Sequence, residues 1–326
     1  MLWRCFRSSA SFRPAQRLRL RNASRKSRRN GCAGGVLRRA EASTVSTVTP
    51  RGRQGQASQG HDARPYEPEK GTSGRRVTAG AIKRRKTKAL FPIITAYDAP
   101  FAEFAERAGI DVILVGDSVG NVVLGYDETT PVTLEDMIHH AQAVCRGTSH
   151  AHIMVDMPFG SYQISDEDAI RSAIRLVKEG GACSVKMEGG TEVAHRIRAI
   201  YGAGIPVVGH IGVMPQTAGL GPGYKMRNNR ERLLADARAV EAAGAYAIVL
   251  EVIDHEVARE LTEALSIPTI GIGAGPHCDS QVLVLHDVLG MYPNAPSFVK
   301  QYADIGNAAT QALRGFAEDV RERKFP

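Results

Sequence analysis

From about residue 90 onward the sequence predicts an α/β fold, a (β/α)8 TIM barrel, preceded by a disordered basic N-terminal leader. Three observations predict it. Eight short runs rich in Val and Ile alternate with longer segments of helical period. The stretch that carries them, about 235 residues, is close to the roughly 250 typical of this barrel. Several of the runs end on an acidic residue, as expected where parallel strands bring their C-terminal ends to one mouth.

The expected strands lie near 91–97, 112–117, 152–157, 183–188, 206–211, 245–251, 268–273 and 281–286. Boundary signals separate them. Thr133-Leu-Glu-Asp136 and Ser165-Asp-Glu-Asp168 have the spacing of capping boxes, in which a hydroxyl accepts from an orphan N–H and an acid three residues later answers it. Gly109, Gly180-Gly181 and Gly244 follow helical stretches where a left-handed terminating residue is expected. Segment 232–243 is rich in strong helix formers. Pro206 and Pro268 fall at strand starts, where a missing N–H does least harm. The main rival is a doubly wound open sheet, which needs a glycine fingerprint after its first strand; Ala96-Tyr-Asp-Ala-Pro100 supplies none.

Charge divides the chain before the barrel begins. Residues 1–90 carry 23 Lys and Arg against 4 Asp and Glu, which leaves 19 basic and 30 acidic residues for the remainder. Residues 1–40 contain no acid and are rich in Arg and Ser, the composition of a mitochondrial transit peptide, so a matrix location is expected. A nucleic-acid-binding arm is the competing reading of the same charge. Residues 41–80, including Gln54-Gly-Gln-Ala-Ser-Gln-Gly60, read as a low-complexity linker, which places the catalytic barrel at 81–326. Five scattered cysteines without a CxxC pair form neither a zinc site nor a disulfide framework. No apolar run approaches the roughly 18 residues of a membrane span, and no membrane or nucleic-acid partner is expected of the barrel.

Asp117, Asp156 and Glu188 close three separate strands. An acid there caps the next helix or, together with its counterparts around the mouth, binds a cation. Hard oxygen ligands without Cys and without a His pair point to Mg²⁺ rather than zinc. Asp98 is a further strand-end acid. Lys186 and Glu188 stand two apart on one strand and therefore face the same side. That pair is either a buried salt bridge or a substrate-binding lysine beside a metal-shell carboxylate. His210, among small residues after the fifth strand, is a candidate for catalysis or substrate contact, and Glu251, ending the apolar run Ala247-Ile-Val-Leu250, is the candidate general base. Gly271-Ile-Gly-Ala-Gly275 lies where barrels commonly bind phosphate, although such glycines equally allow close packing. Residues 214–225 read as a flexible lid.

In order along 90–326 these segments resemble the ketopantoate (3-methyl-2-oxobutanoate) hydroxymethyltransferases. The likeness runs through Ile94-Thr-Ala-Tyr-Asp98, Val115-Gly-Asp-Ser118, Asp127 to Thr133, Asp156-Met-Pro-Phe159 and Val185-Lys-Met-Glu-Gly-Gly190. It continues through Gly209-His-Ile-Gly-Val-Met-Pro-Gln216, Gly223-Tyr-Lys225, Leu250-Glu251, Ile270 to Gly275 and His286-Asp287. The resemblance implies an enzyme of pantothenate synthesis that moves a hydroxymethyl group from 5,10-methylenetetrahydrofolate to 2-oxoisovalerate, giving ketopantoate. It implies that Asp117 and Asp156 hold Mg²⁺, with Glu188 completing the shell directly or through water. It further implies that Asp117, Ser118, Asp156 and Lys186 contact the oxo acid, that His210 lies near the site, that Glu251 accepts the proton, and that the protein is a homo-oligomer. The segment Thr217-Ala-Gly-Leu-Gly-Pro222 departs from the pattern. A related barrel lyase or mutase acting on a phosphorylated oxo acid is the alternative.

Overall fold

The computed structural model describes residues 75–324 apart from 89 and 222, so the expected transit peptide at 1–40 and nearly all of the expected linker at 41–80 lie outside the described residues. The eight strands are β1 (Phe91–Thr95), β2 (Val112–Val115), β3 (His152–Asp156), β4 (Ser184–Glu188), β5 (Val207–Gly212), β6 (Ala247–Glu251), β7 (Thr269–Ile272) and β8 (Ser280–Leu283). They pair in sequence order, each parallel to the next, and β8 closes on β1. The expected barrel is therefore the observed fold. Only the end of β8 falls well short of its expected range. The apolar run Val282-Leu-Val-Leu285 continues past the last strand pairing into a short helix at Leu285–Val288, because an apolar sequence suits a buried turn of helix as well as a strand.

The helices fill the intervals: α1 (Ala79–Lys83), α2 (Ala99–Arg107), α3 (Val119–Val122), α4 (Leu134–Arg146), α5 (Asp166–Lys178), α6 (Ala194–Gly202), α7 (Pro215–Ala218), α8 (Arg230–Ala242), α9 (His255–Ala264), α10 (Leu285–Val288) and α11 (Ile305–Arg321). The capping box before α4 is complete. Thr133 accepts from the Asp136 N–H and Asp136 accepts from that of Thr133. Before α5 only the Ser165 half forms with the backbone. Gly109 and Gly244 take the left-handed backbone, with φ of 81° and 104°, and so end α2 and α8 as their positions foretold.

Alternation along the strands sorts the side chains into two cores. One face, with Ile113, Val115, Ile153, Val155, Val185, Val207 and Ile248, packs under the helices. The other, with Phe91, Ile93, Val112, Leu114, Met154, Val208, Val249, Ile270 and Val282, fills the barrel interior. Each fully buried side chain of this size contributes about 1.5–3 kcal/mol. Ile82 of α1 joins the inner core and is wholly buried, so α1 stoppers the N-terminal end of the barrel. Packed contacts begin before the expected boundary at 81. The Arg76 guanidinium donates to Cys145 O, Thr148 O, Thr148 Oγ1 and Ala151 O, and the Val77 N–H to His150 O.

A polar layer lies just above the stopper. His152, at the start of β3, has its Nδ1 2.9 Å from Val77 O, an acceptor only, so Nδ1 carries the proton. Its Nε2 then accepts from Ser184 Oγ at 2.8 Å or the Tyr246 hydroxyl at 3.1 Å. Along β3 and β4 the inward positions thus run polar, apolar and acidic (His152, Met154, Asp156), then polar and charged (Ser184, Lys186, Glu188).

Among the described residues, cover is thin at the last seam of the barrel and along the C-terminal helix. At the β8–β1 seam, Pro92 and Gln281 are exposed mid-strand. The helix α11 has no buried residue, and Ile305, Leu313 and Val320 recur along it with 38%, 68% and 48% exposure.

Burial lowers the His152 imidazole to a pKa of about 4. The unfolded chain takes up this proton as pH falls through about 6.5, whereas the folded protein resists it down to about 4. The group therefore costs nothing above pH 6.5 and progressively destabilises the fold between 6.5 and 4. In His152→Gln, the loss of urea-unfolding free energy between pH 7 and 4.5 should be smaller than in the parent by about 2 kcal/mol. An unchanged pH dependence would show that His152 titrates normally in the folded state.

Candidate active site at the barrel mouth

The C-terminal ends of the strands surround a cavity of about 820 Å³, counting the open space at its mouth. Asp117, Ser118, Asp156, Lys186, Glu188, His210 and Glu251, the metal, substrate and base candidates of the sequence, line it together, whereas the further strand-end acid Asp98 does not. Parity explains the convergence. Asp156 ends β3, Lys186 and Glu188 are alternate residues of β4, His210 pairs with Glu188 in register, and Glu251 pairs with Gly212.

A network of N–H donors holds one oxygen each of Asp117, Asp156 and Glu188. The Asp117 N–H donates to Asp156 Oδ2 at 3.0 Å, Gln216 Nε2 to Asp117 Oδ2 at 2.8 Å, and the Gln216 N–H to Glu188 Oε2 at 3.1 Å. The second oxygens are left for other partners. Asp156 Oδ1 has no aligned hydrogen bond, although Lys186 Nζ stands 3.0 Å away as an ion pair. Ser118 Oγ lies 2.8 Å from the Tyr97 hydroxyl. A Cβ at Gly116 would come within 2.8 Å of that Oγ, so glycine makes room for the serine.

Lys186 continues the chain of contacts. Its Nζ is 3.1 Å from His210 Nδ1, and an ammonium can only donate. Nδ1 therefore bears the lone pair and Nε2 the hydrogen, and Nε2 stands 3.3 Å from Glu251 Oε2, though short of hydrogen-bond alignment. The run Asp156–Lys186–His210–Glu251 crosses the mouth from β3 to β6.

The electrostatics are lopsided, with five carboxyl groups, those of Asp117, Asp156, Glu188, Glu251 and Asp287, lining a cavity that holds one ammonium. Burial, reinforced by the charge of Asp156, pushes Asp117 up to about 7 against the opposing pull of Lys186. Burial followed by Asp117 raises Glu188 well above the carboxylate range. Burial would lower the Lys186 pKa, but Asp156, Glu188 and Asp117 outweigh it and hold the amine charged. Burial and then Lys186 lower the pKa of His210, which keeps the ring neutral.

This donor set fits a hard divalent cation, which would offset the surplus of carboxyl groups. Among the described residues no three His, Cys, Asp or Glu side chains draw together into a ready-made cage, because Gln216 and Lys186 already occupy part of the acids. Mg²⁺ commonly takes only one or two protein carboxylates and keeps waters or substrate oxygens.

Other expected features settle differently. Asp98 does not face the cavity; its carboxylate accepts from the Phe101 N–H at 2.9 Å and caps α2. The glycines at 273 and 275 back onto the rings of Phe298 and His255, where a Cβ would approach within 3.0 and 2.7 Å, so the run serves close packing. The expected lid is pinned over its first part. Pro215 starts α7, and buried Gln216 also donates to Met157 O and accepts from the Tyr162 hydroxyl. Gln216 was missed in the sequence because an isolated amide has no pattern, although Pro at a helix start was a usable signal. Thr95, Thr129, Tyr224, Asp287 and Phe298 also line the cavity unannounced.

A closed parallel barrel with buried carboxyl groups, a charged lysine and a neutral histidine around its C-terminal mouth belongs to the (β/α)8 enzymes. The family model of ketopantoate hydroxymethyltransferase matches residues 76–326, and the chain belongs to that family. It is a hydroxymethyl-transferring enzyme. The 3-methyl-2-oxobutanoate hydroxymethyltransferase of Carboxydothermus hydrogenoformans is 51% identical over 257 residues, covering 77% of this chain and 93% of the relative. That of Thermus thermophilus is 52% identical over 238 residues, covering 72% and 91%. Among solved structures, 2,3-dimethylmalate lyase, a PEP mutase/isocitrate lyase superfamily member, superposes with a TM-score of 0.51 at 18% identity, covering 77% of this chain and 90% of that one. Phosphonopyruvate hydrolase does so with 0.51 at 16%, covering 76% and 88%; both likenesses concern the fold.

Proposed function

We propose that the chain transfers a hydroxymethyl group from 5,10-methylenetetrahydrofolate to 2-oxoisovalerate, giving ketopantoate for pantothenate synthesis. The observation that carries this reading is the Asp156–Lys186–His210–Glu251 contact chain at the mouth of a barrel whose family is known. In this reading Lys186 receives the carboxylate of the oxo acid, with Asp117, Ser118 and Asp156 around it. Asp117 and Asp156 would hold Mg²⁺, with Glu188 completing the shell directly or through water. The ion supplies Lewis-acid withdrawal from the keto oxygen, worth several kcal/mol.

Glu251 takes the C3 proton of the substrate, and the resulting carbon nucleophile forms the new C–C bond to the one-carbon unit. Both C–N bonds of the methylene bridge break, one water supplies the hydroxyl oxygen, and the two folate nitrogens take up the C3 proton and the second proton of that water. His210 acts on Glu251, its Nε2–H facing the carboxylate because Lys186 claims Nδ1. The apolar wall of Val249, Ile272 and Val282 limits water around the carbanion. The alternative, a phosphorylated oxo acid, has no support in the glycine run, which packs against rings.

Two features bear on the protein's setting. The acid-free, Arg-rich composition of residues 1–40 supports mitochondrial import and a matrix location. The exposed β8–β1 seam and the unburied α11 support a homo-oligomer in which a second copy covers both. Among the described residues no helix is long and apolar enough to cross a membrane.

Glu251→Gln is expected to keep Mg²⁺ and 2-oxoisovalerate binding by calorimetry while turnover falls by roughly 10²- to 10⁴-fold; normal turnover would remove Glu251 from the role. In sedimentation, the protein should run as an assembly and a chain ending at residue 304 should not, whereas a monomeric full-length protein would refute the oligomer.

A further inference from the structure

The cavity has two unlike sides. Its charged groups come from β2 to β6, whereas the arc contributed by β7, β8 and the segment after α10 is apolar, with Ile272, Val282, Val284, Pro296, Phe298 and Val299. On this apolar arc stands one carboxyl group, that of Asp287. In a closed eight-stranded barrel β8 lies opposite β4, so Asp287 faces Lys186 and Glu188 from across the mouth.

Asp287 has no local explanation. The residue is 5% exposed, and its carboxylate makes no hydrogen bond or ion pair among the described residues. Burial alone raises its pKa, to about 6. A second polar group on the same cavity is in a similar position: Thr129 is 3% exposed and its Oγ1 is buried without a partner. Buried polar groups are ordinarily hydrogen-bonded, and two that are not, lining one cavity, indicate a ligand that brings the partners.

The chemistry of that ligand follows from the wall. It is not the oxo acid, an anion that Asp287 would repel and that Lys186 attracts. A carboxylate takes two adjacent N–H donors side by side. The apolar arc, including a Phe298 ring backed by Gly273, suits the flat face of a heterocycle. The pyrimidine half of a reduced pterin has this pattern, with N3–H next to the 2-amino group.

We propose that Asp287 recognises the pterin head of the folate co-substrate, its carboxylate accepting from N3–H and the 2-amino group, with Phe298 against the ring and Thr129 as a further contact. This rests on folate being the one-carbon donor and deepens that reading by assigning the two substrates to opposite sides of one mouth.

The test is steady-state kinetics of Asp287→Asn, with a 2-desamino-2-methyl analogue of methylenetetrahydrofolate alongside the natural compound. The KM for methylenetetrahydrofolate should rise about 10- to 100-fold. The KM for 2-oxoisovalerate and folate-free exchange of its C3 proton should stay near the parent values. The parent should discriminate against the analogue by a similar factor, and the variant should discriminate far less. An unchanged folate KM would overturn the inference, as would loss of C3 exchange in a variant that melts normally, because Asp287 would then serve the oxo acid. Should the variant not fold, equal use of analogue and natural compound by the parent overturns it alone. If the parent exchanges the C3 proton but never turns over with methylenetetrahydrofolate, the folate reading itself fails and the inference falls with it.

Discussion

One buried ammonium, that of Lys186, organises the mouth of this barrel. It stands 3.0 Å from Asp156 and 3.1 Å from His210, inside a ring of carboxyl groups that would otherwise repel one another. Removing a partner from such a group leaves a buried charge uncompensated, which is far costlier than the pair is stabilising. The ring stays short of positive charge even so, since burial and mutual repulsion raise Asp117 and Glu188. That deficit makes the site receptive to a divalent cation. The lysine also sets the hydrogen of His210 toward Glu251, so one side chain links the anion-binding end of the cavity to its basic end.

The fold delivers this arrangement by repetition. Parallel strands of alternating side chains place one residue type per layer, and the same β3 and β4 that carry Asp156, Lys186 and Glu188 at the top carry His152 and Ser184 at the bottom. The two polar layers do opposite things. The lower one is closed by Val77 and Tyr246 and pairs its groups within the protein. The upper one leaves polar atoms without aligned hydrogen bonds, with Thr129 Oγ1 buried and unbonded and Asp156 Oδ1 held only by the Lys186 ion pair, as a surface prepared for ligands must.

Much of this was legible in the sequence, for reasons particular residues make plain. The strands showed because buried parallel strands are continuous Val/Ile runs. Asp117, Asp156, Glu188 and Glu251 showed because each ends such a run, and in a barrel all run ends share one mouth. The same rule misplaced Asp98, which also ends a run but caps α2, since capping and ligation ask for the same residue in the same place. Gln216 and Asp287 were invisible as site residues because their roles depend on tertiary neighbours: one bonds partners far away in sequence, and the other lies beyond the last pairing of β8. The extent of the stopper was also hidden, because Arg76 and Val77 look like linker until their partners near residue 150 are seen.

The central claim is that the charged side of the mouth, with Mg²⁺, makes the C3–H of an α-oxo acid acidic. It is tested most directly by following deuterium uptake at C3 of 2-oxoisovalerate by NMR, without folate, with Mg²⁺ present and then removed by chelation. The account predicts rapid uptake with the metal and uptake near the protein-free rate without it. Equal uptake in both conditions, or none with Mg²⁺ and oxo acid both bound, would contradict it.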